Sequence, residues 1–287
     1  MPQAAPPELP PLPAYRHHGV AVYLNPDEDD APRPEDIFGL PEALRQLPGT
    51  STRQPGTPTC WQWHPAWHRG PGLVVRRYAH GGLLGRLWGT LFAGPGRMLR
   101  EFRTAILAAR RGVPTPVPVA LRIERAWGPL VRGHLVTRRI PGALDLLELC
   151  RSAGAQRTDA AWRRRVGAAV AATIADMHDA GIVHADLNLK NLLVRDAFDE
   201  PEAFVIDFDR ARLAGRLGLG ERMRNLLRLD RSVLKWAASR RAVSPLDRLR
   251  VLCIYLDRYP RWRERWGEIA RRYARAHLLH RLSRQDG

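Results

Sequence analysis

The chemistry of this chain is concentrated in one short run of polar residues. In "IVHADLNLKNLLV" (182–194), Asp186 and Asn191 stand five positions apart between two apolar edges. Asp207 follows sixteen positions after Asn191, at the end of the apolar run Phe204-Val205-Ile206. Oxygen donors of this type suit magnesium, which takes hard ligands from a few side chains and from phosphates. A further carboxylate placed to receive a hydroxyl proton completes a set for phosphoryl transfer, a reaction that needs positioning and charge neutralisation more than covalent help. Asp186 is therefore expected to orient an acceptor hydroxyl and take its proton. Asn191 and Asp207 are expected to hold Mg2+ against the β- and γ-phosphates of ATP. His184 and Asn188 are expected to support the loop.

The spacing His184-x-Asp186-x-x-x-x-Asn191 fits the catalytic-loop pattern of protein kinases, with Ala185 at the position usually held by arginine. Such a loop normally works with a lysine on an upstream strand that holds the nucleotide phosphates and pairs with a helix glutamate. No lysine precedes Lys190 here. The strand-like "LVVRRY" carries Arg76 in that place, and Glu101, in the first turn of the following helix, is its natural partner. Arginine is always charged and can grip carboxylate and phosphate together. Arg77 should point to the opposite face of the strand. A pseudokinase that has lost its lysine is the competing reading; intact Asp186, Asn191 and Asp207 argue against it. No G-x-G-x-x-G precedes Arg76, so the expected phosphate loop rests on Gly56 in "RQPGTPTCWQW".

Positioning these residues requires strands first and helices later. Residues 1–14 are proline-rich, and a proline-rich extension is expected over 1–36. "CWQWHPAW" (60–67) and "GLVVRRYAHGG" read as strands, as does "GPLVRGHLVTRRI" (128–140). "RMLREFRTAILAARRG" reads as a helix, with Met98, Phe102, Ile106 and Ala109 on one face and Gly112 closing it. Val166, Val170, Ile174 and Met177 predict a long helix from about Trp162 to Asp179, stopped by Gly181. Beyond residue 220 the pattern is helical. This order predicts an α+β chain of two lobes, a β-rich N-lobe over 37–140 and a mainly helical C-lobe over 141–287.

Charge narrows the partners. The 287 residues carry a formal net charge of +17, and of 46 basic residues only Lys190 and Lys235 are lysine. Residues 210–287 alone hold 21 Lys/Arg against 7 Asp/Glu. A segment this basic implies an anionic partner: nucleic acid, an anionic lipid surface or a phosphorylated substrate. Three scattered cysteines argue against a disulfide framework or zinc site. The N-terminus lacks the pattern of a signal peptide, and no run of eighteen apolar residues predicts a membrane span.

"VHADLNLKNLLV" together with "VIDFDRARL" resembles the bacterial 3-deoxy-D-manno-octulosonic acid (Kdo) kinases, in the lipopolysaccharide-kinase branch of the protein-kinase-like fold. "VVRRYAHGG", "REFR", "GVPTPVPVA", "IPGA" and "NLLRLDRSVLKW" also look like landmarks of that family, in order from about Gly72 to Trp236. An arginine in place of the strand lysine is usual there. The resemblance implies a two-lobe protein-kinase-like fold and ATP-dependent phosphorylation of a hydroxyl on the Kdo sugar of Kdo-lipid A. It places the enzyme peripherally on the cytoplasmic face of the bacterial inner membrane, with Kdo-lipid A or a related anionic glycolipid and the anionic membrane surface as partners. Arg210, Arg212, Arg224, Arg228 and Arg231 are then candidates to face the acceptor. Rival readings are a heptose or aminoglycoside type of small-molecule kinase, and a basic nucleic-acid-binding protein, for which no recognition motif is present.

Overall fold

The computed structural model describes residues 8–47, 60–80, 89–152, 159–197, 200–236, 242–271 and 273. The chain divides into two compact units, and the Gly56 loop lies outside the described residues.

The first unit takes residues 8–141 together with 207–211. Its centre is an antiparallel sheet built from β1 (Ala14–His17), β2 (Val20–Leu24), β3 (Cys60–Trp63), β4 (Leu73–Arg77), β5 (Phe92–Ala93), β6 (Pro118–Trp127) and β7 (Leu130–Arg138). The spatial order is β1-β2-β6-β7-β4-β3, with β5 added on β7. Two short helices, α1 (Pro34–Phe38) and α2 (Leu40–Arg45), and one long helix, α3 (Gly96–Arg110), cover it. Side-chain alternation divides the strands between two cores. Val22, Leu24, Leu73, Val75, Ala120 and Val136 pack with Ile37, Leu40 and Leu44 of α1 and α2. Leu121, Ile123, Val131 and Leu135 pack with Met98, Phe102 and Ile106 of α3.

Two local features let α3 lie close to the sheet and end cleanly. A Cβ on Gly133 of β7 would fall 2.4 Å from the Met98 sulfur, so the bare glycine leaves room for that side chain between α3 and the sheet. Gly112, with φ of 73°, turns the chain out of α3.

Residues 14–24 differ from the proline-rich extension expected over 1–36. They form the β1–β2 hairpin, and Val20–Leu24 pair with Glu124–Ala120. The physical reason is pairing: the alternation in "VAVYL" satisfies its backbone on β6 and buries Val22 and Leu24. The acidic loop after it is tied down as well. Asp27 holds Arg110 through two contacts, and Glu28 pairs with Arg138.

The second unit takes residues 142–206 and 212–287, as far as these are described. It contains β8 (Leu144–Asp145), α4 (Leu146–Ser152), α5 (Ala160–Asp179), β9 (Ile182–Val183), β10 (Leu192–Ala197), β11 (Glu200–Val205), β12 (Arg212–Leu213), α6 (Leu219–Lys235), α7 (Pro245–Asp257) and α8 (Pro260–Arg263). Asp159 caps α5 by accepting the Trp162 N–H at 2.5 Å. Val166, Val170, Ile174 and Met177 of α5 are buried, and α5 packs on α7 and β11. Gly181, with φ of 76°, reverses the chain into β9, which pairs with β12. β10 and β11 form a hairpin that delivers the chain to Ile206. Among the described residues no helix is long and apolar enough to cross a membrane.

Candidate active site

In the second unit the loop between β9 and β10 is held by its own buried side chains. His184 is buried, and its Nδ1 accepts the Asp186 N–H at 3.1 Å. Nε2 therefore carries the ring proton and donates to Ile206 O at 2.9 Å, which makes the ring neutral. One imidazole thus joins the loop to the residue preceding Asp207. Asn191 makes a second tie. Its Nδ2 donates to Asp186 O at 2.8 Å, and its carbonyl accepts the Ile206 N–H at 3.0 Å. With the amide turned this way, Oδ1 is the atom left for a cation. Leu189–Asn191 form a single 3₁₀ turn, capped where Asn188 Oδ1 accepts the Lys190 N–H at 2.8 Å.

Asp186 itself is open, its side chain 70% exposed. Asn188 Nδ2 donates to one carboxylate oxygen at 3.0 Å, and Arg228 on α6 lies 3.5 Å from the other. The carboxylate is oriented from two sides and still accessible to a substrate hydroxyl.

Asn225 of α6 supports this loop, and sequence reasoning missed it. Its Oδ1 accepts the His184 N–H at 3.0 Å, and its Nδ2 donates to His184 O at 2.9 Å. The same Oδ1 faces His178 Nε2 at 3.2 Å, and His178 Nδ1 meets Tyr255 Oη at 2.8 Å. Burial pushes His178 down to about 4, so it stays neutral at physiological pH. Arg222 extends the network, donating to Tyr259 Oη at 2.7 Å and pairing with Asp179 at 2.9 Å.

In the first unit, strand alternation turns Arg76 of β4 toward α3. Arg76 Nη2 pairs with buried Glu101, and Nη1 lies 3.3 Å from Asp207 Oδ1. Burial raises Glu101 to about 7, against the opposing pull of Arg76. Burial would lower Arg76, but the Glu101 and Asp207 carboxylates outweigh it and hold the guanidinium firmly charged. Asp207 has φ of 66°, a left-handed conformation uncommon for a side-chain-bearing residue and associated with functional positions. Two residues on, Asp209 receives Arg97 of α3 through a fork of two bonds, one of 2.6 Å from Nε. Arg77 faces the other way, 5.7 Å from the centre of the Trp61 ring.

The five acceptor candidates separate. Arg228 reaches Asp186. Arg212 is occupied by Glu221. Arg210, with φ of 57°, projects outward 3.9 Å from Asp209. Arg224 is exposed and Arg231 half-buried on α6. Among the described residues there is no cluster of three or more His, Cys, Asp or Glu that could hold a metal. An asparagine with a carboxylate fits magnesium, which takes much of its shell from phosphate and water.

A sheet-based unit with an Arg–Glu pair, and a helical unit with an Asp–Asn loop, define a protein-kinase-like phosphotransferase. The solved structure described as "WaaP in complex with acyl carrier protein" shares this fold, with a TM-score of 0.54 and 21% identity over 86% of this chain and 98% of that one. The sequence profile of the Lipopolysaccharide kinase (Kdo/WaaP) family matches residues 71–255, and the chain belongs to that family. The 3-deoxy-D-manno-octulosonic acid kinase of Actinobacillus succinogenes is 29% identical over 214 residues, covering 73% of this chain and 85% of the relative. The enzyme of the same name from Photobacterium profundum is 32% identical over 186 residues, covering 63% and 73%. The chain is accordingly an ATP-using kinase with an alcohol group as acceptor.

Proposed function

We propose that this kinase transfers the γ-phosphate of ATP to a hydroxyl of the Kdo sugar of Kdo-lipid A, in building the lipopolysaccharide inner core. One observation carries the reading. Asn191 binds the Asp186 carbonyl through its side chain and the Ile206 N–H through its backbone, so one residue ties the base to the segment leading into Asp207.

Asp186 accepts the hydroxyl proton as the sugar oxygen bonds to the γ-phosphorus. The bond from that phosphorus to the bridging oxygen breaks, and ADP leaves. Asn188 and Arg228 hold the carboxylate on line for the proton. Arg76, anchored by Glu101, steadies the nucleotide phosphates and Asp207. Asn191 Oδ1 and the Asp207 carboxylate would hold Mg2+, which supplies charge neutralisation on the phosphates when bound. The basic segment 210–287 favours a peripheral position on the anionic cytoplasmic face of the inner membrane.

The test is transfer of labelled γ-phosphate from ATP to Kdo-lipid IVA, comparing wild type with Asp186→Ala. Transfer by wild type and a loss of about 10²–10⁴ in the variant supports the reading. Equal transfer by both, or none by wild type with acceptor and magnesium present, overturns it.

A further inference from the structure

Both lysines of the chain meet at one indole ring. Lys190 Nζ and Lys235 Nζ each lie 5.3 Å from the centre of the Trp236 ring, and the Arg151 guanidinium lies 5.8 Å from it. Three cations around one ring sit within roughly a Debye length of each other. Cation–π attraction favours each of them singly, but their mutual repulsion opposes gathering all three. Glu148 approaches Arg151 at 3.5 Å, whereas among the described residues no carboxylate pairs with Lys190 or Lys235. The net field of this cradle is positive, and its lysine ammonium groups are available to an anion.

The cradle has a defined place relative to Asp186. Lys190 lies four residues after Asp186 on the same loop. The loop is docked on α6 where Ser232 Oγ accepts the Leu189 N–H at 3.1 Å. Arg228, Ser232 and Lys235 follow one another at helical spacing on that face of α6. Arg228 touches Asp186, and Lys235 stands seven residues further on, about 10 Å along the helix axis. That distance is too long for groups acting on one reacting atom, so the cradle faces a part of the acceptor away from the reacting hydroxyl. Two ammonium groups held by the indole suit the compact charge of a phosphate.

We propose that Lys190, Lys235, Arg151 and Trp236 form an anion subsite that binds a phosphomonoester on the acceptor, at a sugar other than the one being phosphorylated. The subsite makes these side chains specificity determinants, selecting acceptors already phosphorylated before this enzyme acts. The identity of the acceptor rests on the function proposed above; the subsite itself does not.

The experiment compares wild type with the double variant Lys190→Met, Lys235→Met, using Kdo-lipid IVA and the same acceptor stripped of its phosphates, both in detergent. The expected result is a rise of about tenfold per lysine in KM for the phosphorylated acceptor, the size of one charge-assisted hydrogen bond. KM for ATP and kcat stay unchanged, and the two proteins behave alike on the stripped acceptor. Equal KM for the phosphorylated acceptor in both proteins overturns the proposal. A second arm measures sedimentation with phosphatidylglycerol vesicles. Loss of vesicle binding with an unchanged KM in detergent also overturns it, assigning the cradle to bilayer headgroups. Calorimetric titration of the phosphorylated acceptor without ATP separates the two readings. Lysine-dependent binding by a wild type that transfers no phosphate upholds the subsite while the proposed reaction fails. Lysine-independent binding overturns the subsite whatever the activity.

Discussion

Arg76 joins two carboxylates, with one guanidinium nitrogen on Glu101 and the other 3.3 Å from Asp207. A point-charge ammonium could not reproduce this fork on two carboxylates. Arg76→Ala should raise KM for ATP by more than about tenfold and lower stability by about 1–3 kcal/mol, because a buried carboxylate loses its partner. Arg76→Lys should fall between that variant and wild type. Arg77→Ala, which removes a cation–π contact with Trp61 on the other face of β4, should leave ATP kinetics within about twofold. Steady-state kinetics and urea melts check both; the reverse ranking would place the phosphate clamp on Arg77.

Three buried titrating groups set opposing pH windows. His134 and His178 are pushed down to about 4 by burial, so the native state resists their protonation. Between pH 4 and 6.5 the unfolded chain binds more protons at these sites, and stability falls as pH falls. Glu101, raised to about 7 by burial, works the other way: from about 4.5 to 7 the native state holds the extra proton, and stability falls as pH rises. Glu101→Gln removes the opposing contribution. Its urea midpoint should therefore climb more steeply than that of wild type between pH 5 and 7, and parallel curves would contradict the raised Glu101.

Asn225 fixes the backbone of His184 from both sides. Asn225→Ala strands a buried N–H and C=O, which should cost about 2–4 kcal/mol. Because the loop rather than the nucleotide clamp is disturbed, kcat should fall at least tenfold with KM for ATP little changed. Asn225→Asp keeps the acceptor and loses the donor, so it should recover part of both. Thermal melts and initial rates measure the pair of effects.

The proposed ligand role of Asn191 is tested by metal demand. Asn191→Ala should raise the magnesium concentration needed for half-maximal rate by roughly tenfold, the scale of one lost oxygen ligand. Chelation should abolish transfer in wild type, and restored magnesium should rescue it. A magnesium profile identical in variant and wild type would remove Asn191 from the ligand set.

Local pattern explains what could be read in advance. α3 and α5 carry their apolar residues at helical spacing and end at Gly112 and Gly181, so their bounds were visible. Asp186, Asn191 and Asp207 were visible because their spacing is itself the signal. The Arg76–Glu101 pair was legible from alternation along β4 and a glutamate near the start of the following helix, although α3 begins at Gly96 and so puts Glu101 in its second turn, not its first. The β1–β2 hairpin was hidden, since prolines and histidines mask its alternation and its partner β6 lies about a hundred residues away. Asn225 and the Arg97–Asp209 fork were hidden for a related reason. Each is an ordinary polar residue until tertiary packing brings its partner, 41 and 112 positions off. Trp236 belongs with them: only the folded chain shows that both lysines share it.

The hairpin also bears on where the molecule can be cut. The family match opens at residue 71, yet β2 occupies the hydrogen-bonding rim of β6, and Val22, Leu24, Ile37 and Leu40 shield Leu73, Val75 and Val136. A fragment begun at the family boundary would unpair the Ala120–Glu124 edge of β6, inviting self-association. The compact sheet unit starts well upstream of residue 71, with the β1–β2 hairpin as part of it.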